Sequence, residues 1–251
     1  MLFTVCYEDW TVVDGVQWGQ RPEGETLKRA QEQLKLDFEY LRDSYMSRQG
    51  FLRTEAEGTA GRPLLLCFGP RTLRETEDWE SMLSTVFPEE ATRPLILSLN
   101  GKIIPGGRFG WFPLLNRALS LSDIDGFLKN YYLAEAAAAR LTIGPIWAGF
   151  RDYYVEGSAG KLKSYGHLPE HDGDTLQAAI DRAKIHRPAF VQLCTWNDWQ
   201  EGTNFEPSKE LGYSHLLKIQ RDILGEADQA AFESATERYW ESQIKMEIAI
   251  N

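Results

Sequence analysis

The sequence predicts an α/β protein with a mostly parallel sheet, and three observations support this prediction. Short apolar runs alternate with longer segments in which apolar residues recur at helical spacing. The 251 residues are 43% hydrophobic, which suits one large domain with a sizeable core. The apolar run at 189–196 breaks into charged and aromatic residues, as strands do at the C-terminal end of an α/β barrel. We therefore expect a TIM-type (β/α) barrel.

Short apolar runs, most of them bounded by glycine, proline or polar residues, are predicted to be strands. They are 2–7, 63–68, 94–99, 108–112, 141–147 and 189–196. Amphipathic segments between and after them are predicted to be helices. They are 27–45, 72–87, 122–140, 174–186, 208–224 and 232–239. Thr72 with Glu75 has the spacing of a capping box, Ser122 and Asp125 can open the third helix, and residues 148–172 are predicted to be a long loop.

A closed (β/α)₈ barrel needs eight strands, so the strands counted above predict an incomplete barrel. Residues 1–225 are expected to form this partial barrel and to carry the catalytic site, and residues 226–251 to form a helix that packs on it. The first and last strands would then be exposed edges, which proteins usually cover. The final helix, residues 248–250 added as a strand, or a second copy of the chain in a homo-oligomer would supply the cover.

Composition excludes several classes of partner. The net charge of −10 and the lack of basic clusters argue against a nucleic acid and against an anionic membrane. No uncharged run is long enough to span a bilayer, and the first residues lack the basic lead of a signal peptide. Cys6, Cys67 and Cys194 each lie in a predicted strand and are expected to be buried free thiols. Such thiols are compatible with the cytoplasm and with a secreted enzyme without disulfides, so the compartment stays open. No metal-ligand spacing is present, and no cofactor is implied.

The last predicted strand is followed by the segment WNDWQEGT at 196–203. Asp198 and Glu201 lie three residues apart in it, and at a strand end that enters a helical turn such residues point to one side. Glycoside hydrolysis needs a pair of carboxyl groups, and neighbouring charge and apolar surroundings can raise the pKa of one of them. The alternative is structural, with Asp198 capping a helix and Glu201 as surface charge.

The same segment, with EP at 206–207 and GY at 212–213, resembles the last-strand signature of glycoside hydrolase family 99. It is also similar to family 71 and to the family-99-like proteins found with polysaccharide biosynthesis genes. Family 99 usually reads Asn-Glu-x-x-Glu-Gly-Thr, and family 71 reads Thr-Trp-Asn-Asp-x-x-Glu. The chain carries TWND at 195–198 in the manner of family 71 and EGT at 201–203 in the manner of family 99.

This resemblance implies that the chain holds strands three to eight of a TIM-type barrel, without the first two βα units. It implies a glycosidase for an α-linked mannose- or glucose-containing glycan, with Asp198 in the base position and Glu201 in the general-acid position. Family 99 uses the 2-hydroxyl of the substrate as nucleophile with a Glu base. Asp198 is one methylene shorter and suits the inverting arrangement of family 71, in which it would activate water. Asn197 and Thr203 would contact the substrate beside them.

Tryptophans at predicted strand ends are candidates for stacking on sugar faces. They are Trp10, Trp111, Trp147, Trp196 and Trp199. The alternative for each is that it fills the barrel mouth as part of the core. Glu8 and Asp9, at the end of the first strand, either bind substrate hydroxyls or are solvated loop residues. Asp152 and Tyr153 lie in a segment similar to the Pro-Gly-Phe-Asp-Asp of family 99, with Arg151 in place of the first Asp, and are candidates for substrate contact.

The sequence therefore predicts a glycoside hydrolase that acts on an oligosaccharide or polysaccharide. The alternatives are a carbohydrate-binding protein that keeps the motif without turnover, and an inactive fragment of a larger enzyme. The residues by themselves support two carboxylates and aromatic side chains at a barrel mouth, and the substrate class comes from the resemblance.

Overall fold

The computed structural model describes residues 2–250 with the exception of 17–18, 56–57, 100, 102, 105, 114–116 and 139–140. Strands and helices alternate along the chain. The strands are β1 (Cys6–Tyr7), β2 (Leu64–Cys67), β3 (Leu95–Ser98), β4 (Arg108–Phe109), β5 (Thr142–Ile146), β6 (Phe150–Arg151), β7 (His167–Leu168) and β8 (Phe190–Leu193). The helices are α1 (Gly24–Leu41), α2 (Thr76–Val86), α3 (Leu121–Ala137), α4 (Tyr154–Gly157), α5 (Asp174–His186), α6 (Ser214–Ile219) and α7 (Gln229–Ile250). Wider π-type turns extend α1 over Arg42–Met46 and α6 over Gln220–Leu224.

Six strands form one sheet in the order β1-β2-β3-β4-β5-β8, and the pairings from β1 through β5 are parallel. This confirms the predicted fold class, an α/β protein of the barrel type whose sheet is not closed. In the described part of the chain, β1 and β8 are the two ends of the order and do not pair with each other. β6 and β7 form a separate antiparallel pair. The correspondence to strands three to eight of a complete barrel stays a prediction, as does a homo-oligomer that covers the end strands.

The chain folds as two compact units, and the boundary passes through α3, β5 and β8. The first unit comprises Met1–Trp111, Tyr131–Gly144 and Pro188–Phe190. The second unit comprises Phe112–Asn130, Pro145–Arg187 and Val191–Asn251. The expected division into 1–225 and 226–251 stays a prediction.

In the first unit, α1 and α2 pack against one face of the strands. Every third or fourth residue of α1 is apolar and buried, namely Ala30, Leu34, Phe38 and Leu41. Trp79 of α2 is fully buried beside Phe38 and donates its indole N–H to the carbonyl of Leu73 at 2.8 Å. A fully buried Leu or Phe stabilises a fold by about 1.5–3 kcal/mol. This helix face therefore supplies much of the stability of the unit.

The opposite face of the strands in the first unit is also apolar. Leu95 and Leu97 of β3 pack there with Phe109 and Ile143, whereas Ile96 packs with α1 and α2. Successive strand residues point to opposite faces, so a strand buried on both sides needs a continuous apolar run. This requirement explains why the strands could be predicted from uninterrupted apolar segments.

The predicted capping box at Thr72 and Glu75 is wrong. α2 begins just after Glu75, which makes no side-chain capping hydrogen bond. The backbone N–H groups of Arg71, Thr72 and Leu73 instead donate to the carboxylate of Asp9 at 2.7, 2.7 and 2.8 Å. Asp9 is completely buried. It is therefore not a solvated loop residue, and its carboxylate organises the chain that follows β2.

The third helix, α3, begins one residue earlier than predicted, because Ser120 and Asp123 cap it instead of Ser122 and Asp125. The N–H of Ser120 donates to the carboxylate of Asp123 at 2.9 Å, and the N–H of Asp123 donates to the hydroxyl of Ser120 at 3.2 Å. Asp125, which was expected to cap with Ser122, accepts hydrogen bonds from the guanidinium of Arg182 in α5 at 2.7 and 2.6 Å. A contact distant in sequence thus decides between two overlapping Ser-x-x-Asp patterns.

Three other predictions need correction. Residues 148–172 are not a simple loop, because they contain β6, α4 and β7. α6 begins at Ser214 instead of residue 208, since residues 208–213 form turns. Residues 248–250 belong to α7 and do not add as a strand. No helix in the described part of the chain is long and apolar enough to cross a bilayer.

The expectation of three buried thiols holds for two of them. Cys67 and Cys194 are buried, but Cys6 is exposed. In β1 the neighbouring Tyr7 is buried and packs on Phe38 and Trp79. Because successive strand residues point to opposite sides, the side chain of Cys6 faces away from this core.

Replacing Asp9 by alanine should destabilise the first unit, because the N–H groups of residues 71–73 lose their acceptor. A buried donor left without a partner costs about 1–3 kcal/mol, so we expect a loss of at least about 3 kcal/mol in the free energy of unfolding. Urea denaturation followed by tryptophan fluorescence measures it. Asp14→Ala, at an exposed position nearby, should change stability by less than about 0.5 kcal/mol. Equal stability of the two variants would contradict the role given to Asp9.

Candidate active site

The segment after β8 folds back on itself as a compact turn. The N–H of Thr195 donates to the carbonyl of Thr203, and the N–H of Phe205 donates to the carbonyl of Thr195, both at 2.9 Å. The hydroxyls of Thr195 and Thr203 lie 2.8 Å apart, and Thr203 is almost fully buried. We call residues 195–206 the carboxylate turn. Thr203, predicted to contact substrate, uses its hydroxyl to close the base of this turn.

The two candidate catalytic residues lie on the carboxylate turn, and backbone contacts hold both. The N–H of Asp198 donates to the hydroxyl of Thr195 at 3.2 Å, and the N–H of Glu201 donates to Oδ1 of Asp198 at 3.0 Å. Asp198 thus caps a turn, as the structural alternative expects, although residues 199–202 do not form a helix. The same hydrogen bond places the carboxylate of Asp198 beside the backbone of Glu201.

The side chain of Glu201 is half-buried and accepts a hydrogen bond from Tyr154, in the segment that precedes α5. The hydroxyl of Tyr154 donates to Oε1 of Glu201 at 2.8 Å. Burial raises the pKa of Glu201, the Tyr154 hydrogen bond lowers it, and the charges of Asp198 and Asp152 raise it, with a raised pKa as the net result. Glu201 therefore keeps its proton to higher pH than a free glutamate. A raised pKa is the direction of shift that favours a carboxyl group as a proton donor.

Residues 150–168, which we call the β6–β7 arm, pack directly on the carboxylate turn. The N–H of Arg151 donates to the carbonyl of Glu201 at 3.0 Å, and the N–H of Tyr153 donates to the carbonyl of Gln200 at 2.9 Å. Gly202 has a φ of +59°, and a Cβ there would lie 2.9 Å from the carbonyl oxygen of Arg151. The two backbones therefore approach so closely that a side chain at position 202 does not fit.

Asp152, a predicted substrate contact, holds the far end of the β6–β7 arm. It is buried, and its Oδ2 accepts hydrogen bonds from the N–H of Tyr165 at 2.6 Å and the hydroxyl of Ser164 at 3.0 Å. Tyr153, the other predicted contact in this segment, is exposed, with the guanidinium of Arg151 over its ring at 5.7 Å. The structure thus gives Asp152 contacts within the arm and leaves Tyr153 accessible to a ligand.

Two of the predicted stacking residues are accessible on the carboxylate turn. Trp196 and Trp199 are 50% and 46% exposed, and Asn197 between them in sequence is also exposed. The indole N–H of Trp199 donates to the carboxylate of Glu206 at 3.1 Å. This bond restrains the indole while much of its surface faces solvent, as stacking on a sugar requires.

Trp147 occupies a different environment. It is completely buried, and its ring centroid lies 6.2 Å from that of Phe127. Its indole N–H has no hydrogen-bond partner in the described structure. The indole of Trp147 is therefore part of the core.

The remaining predicted site residues belong to the first unit. Trp10 is exposed at 47%, and its indole N–H donates to the carboxylate of the exposed Glu8. Trp111 is partly buried, with its ring 4.9 Å from that of Phe68 in an edge-to-face arrangement. Substrate contacts of these three side chains stay predictions.

Sequence reasoning missed Tyr154, although it singled out the two residues before it. Tyr154 contacts Glu201 across 47 residues of chain, and no local pattern distinguishes it from Tyr153. It also missed Glu206, which restrains Trp199. The second unit therefore presents a carboxyl pair on one turn, a tyrosine hydroxyl on one of them, and exposed indoles beside them. Among the described residues, no group of three or more His, Cys, Asp or Glu side chains is arranged to hold a metal ion.

The carboxyl pair follows the last strand of the sheet, and barrel-type folds commonly carry their active sites at strand ends of this kind. No family model and no curated protein sequence matches the chain, but solved structures do. Two structures of a family 99 endo-α-mannosidase from Bacteroides thetaiotaomicron, one in complex with BIS-TRIS-propane, match it with TM-scores of 0.57 and 0.56 at 15% and 16% identity. They cover 88% of this chain, which spans 69% and 65% of theirs. The chain therefore has a family 99-like fold.

Gly202→Ala should destabilise the protein more than Gly212→Ala does, and this pair isolates the close approach of the arm. Both glycines have positive φ, but a Cβ at 212 meets nothing within 4 Å. Each substitution introduces strain of about 1–2 kcal/mol from the left-handed backbone. Gly202→Ala adds an overlap with Arg151, which we expect to cost about 1–3 kcal/mol more. The measurement is the free energy of unfolding in urea, and equal losses would show that the arm does not pack on residue 202.

Proposed function

We propose that the protein is a glycoside hydrolase that acts on an α-linked mannose- or glucose-containing glycan. The observation that carries this proposal is the half-buried Glu201, with its raised pKa, on the same turn as Asp198. The family 99-like fold and the exposed indoles of Trp196 and Trp199 support a carbohydrate as the substrate. The sugar preference follows the sequence resemblance.

Glu201 is the general acid in this proposal. Its burial and the neighbouring carboxylates favour the protonated form, and the acid must carry a proton before it can donate one to the leaving oxygen. As the pH rises through the pKa of Glu201, the active form is lost. Activity therefore extends to higher pH than an unperturbed glutamate would allow.

Asp198 is the base in this proposal and activates the attacking group. One of its oxygens accepts the N–H of Glu201 at 3.0 Å, which holds the carboxylate in place relative to the acid. A carboxylate fixed by a backbone N–H needs no reorganisation when it accepts a proton from water. Its short side chain favours a route in which water lies between the base and the sugar, as in inverting enzymes.

A carbohydrate-binding protein without turnover is the second candidate. It is favoured by the same exposed indoles, which would bind a sugar whether or not the carboxyl pair is catalytic. The capping hydrogen bond of Asp198 is also compatible with a purely structural role for that residue. Turnover distinguishes the two candidates.

Glu201→Gln should lower turnover of α-mannan- or α-glucan-derived oligosaccharides by about 10²–10⁴-fold, because the amide keeps the shape and cannot donate the proton. Binding of the same oligosaccharides, measured by calorimetry, should change little. The control is Glu210→Gln, at an exposed position that, like Glu201, follows β8 in the sequence. It should keep wild-type turnover. Undiminished turnover by Glu201→Gln would refute the assignment, and binding without turnover by the wild type would favour the second candidate.

The initial product of hydrolysis should have inverted anomeric configuration, because in this proposal Asp198 activates water and its side chain is too short to attack the sugar itself. Proton NMR of the products, recorded before mutarotation, measures it. A product with retained configuration would contradict direct inversion and would favour participation of the substrate 2-hydroxyl.

A further inference from the structure

We propose that Tyr154 is a positioning residue whose hydroxyl fixes the carboxyl group of Glu201, and that the β6–β7 arm exists to hold the tyrosine there. This inference rests on the proposed role of Glu201. It assigns a function to the segment 150–168, which the carboxyl pair alone does not explain.

The hydroxyl of Tyr154 contacts the reacting group of the proposed acid directly. It donates to Oε1 of Glu201 at 2.8 Å, a normal length for this bond. The backbone of Glu201 makes two further hydrogen bonds. Its N–H donates to Oδ1 of Asp198, and its carbonyl accepts the N–H of Arg151. A glutamate side chain has three rotatable bonds beyond its backbone, so the backbone contacts do not orient its carboxyl group. The tyrosine hydroxyl supplies that orientation.

Two contacts of the β6–β7 arm hold Tyr154 in place, one through the backbone and one through the ring. Its backbone is placed by the neighbouring Tyr153, whose N–H donates to the carbonyl of Gln200. Its ring meets the edge of Tyr165, with centroids 5.3 Å apart and planes at 72°. Tyr165 is 63% exposed and is held by its own N–H, which donates to the buried carboxylate of Asp152 at 2.6 Å. Asp152 thus anchors the backbone of Tyr165, and the ring of Tyr165 contacts the ring of Tyr154.

Tyr154 donates a hydrogen bond and is not itself the nucleophile. Some glycosidases use a tyrosine as the nucleophile, and the hydroxyl of Tyr154 contacts the proposed acid here. Burial, the hydrogen bond to Glu201 and the charges of Glu201 and Asp198 all raise the pKa of Tyr154 far above its ordinary value. The phenol therefore stays protonated throughout the neutral range, and the proton on its oxygen is available to Glu201.

The hydrogen bond from Tyr154 also opposes the other influences on the pKa of Glu201. The titratable groups that face this carboxyl group are Asp198 on its own turn and Asp152 and Tyr154 on the arm, and Tyr165 faces Tyr154. Burial and the two aspartates favour the neutral acid, whereas the tyrosine hydrogen bond favours the carboxylate. Removal of the hydroxyl therefore raises the pKa of Glu201, and the acid then keeps its proton to higher pH.

Tyr154→Phe tests this proposal, with Tyr213→Phe as a control that makes the same chemical change on a residue stacked on Phe232. We expect kcat of Tyr154→Phe to fall by up to about 100-fold, the cost of a misplaced catalytic group. KM should stay within about twofold, because only the transition state loses an interaction. The alkaline limb of the pH profile should move to higher pH. A role in stability alone would leave the position of this limb unchanged.

A second readout keeps the test independent of turnover. Carbon-13 NMR of glutamate carboxyl groups, assigned by loss of one signal in Glu201→Gln, measures the titration of Glu201 directly. This titration should move to higher pH in Tyr154→Phe and stay unchanged in Tyr213→Phe. An inactive wild type would refute the proposed function, yet the shifted titration would still place the hydroxyl on Glu201. An unchanged titration and pH profile in Tyr154→Phe would overturn the inference.

Discussion

The candidate site depends on the closure of the carboxylate turn through its two threonines. Thr195 and Thr203 share a hydroxyl contact at 2.8 Å and a backbone hydrogen bond at 2.9 Å. The free hydroxyl and N–H groups of a chain leaving a sheet would otherwise need water, and their pairing removes that need at a nearly buried position. The closed turn is what brings Asp198 and Glu201 together. It also forces the backbone at Gly202 against the β6–β7 arm.

This geometry produces opposing effects on the pKa of Glu201. Half-burial removes part of the water that would stabilise a charge on Glu201, and Asp198 and Asp152 add negative potential. The tyrosine hydroxyl offsets part of this effect. An acid in glycoside hydrolysis needs a pKa near the working pH, and a balance of this kind allows the arm to adjust it. The β6–β7 arm and the carboxylate turn therefore determine the pKa of Glu201 together.

Local sequence patterns predicted the features that depend on interactions between residues close together in the sequence. Apolar runs predicted the six strands of the main sheet. The physical reason is clearest for β2, β3 and β5, which are almost entirely buried and so need apolar residues on both faces. The helix Asp174–His186 was predicted with its bounds, since polar residues open it and its apolar residues recur at helical spacing. The carboxyl pair was found because two charges and two indoles after an apolar run have no purpose in a core.

Contacts between distant residues decided the features that the sequence could not predict. The N–H groups near Thr72 bond to Asp9 from another strand end, so the local capping pattern was overruled. Asp125 bonds to Arg182 and leaves the cap to its neighbours. Tyr154 reaches Glu201 through a fold-back of the chain that no periodicity encodes. In each case a partner more than 45 residues away in sequence supplies the hydrogen bond.

The proposed protonation of the leaving oxygen of a glycan by Glu201 can be tested in a crystal structure of Glu201→Gln with a bound α-linked oligosaccharide. The variant should hold the substrate without turning it over. We expect a glycosidic oxygen to lie about 2.6–3.2 Å from the amide of residue 201, within hydrogen-bond reach of the group that replaces the acid. An oligosaccharide bound with no glycosidic oxygen near residue 201, in a variant shown to bind as tightly as the wild type, would contradict it.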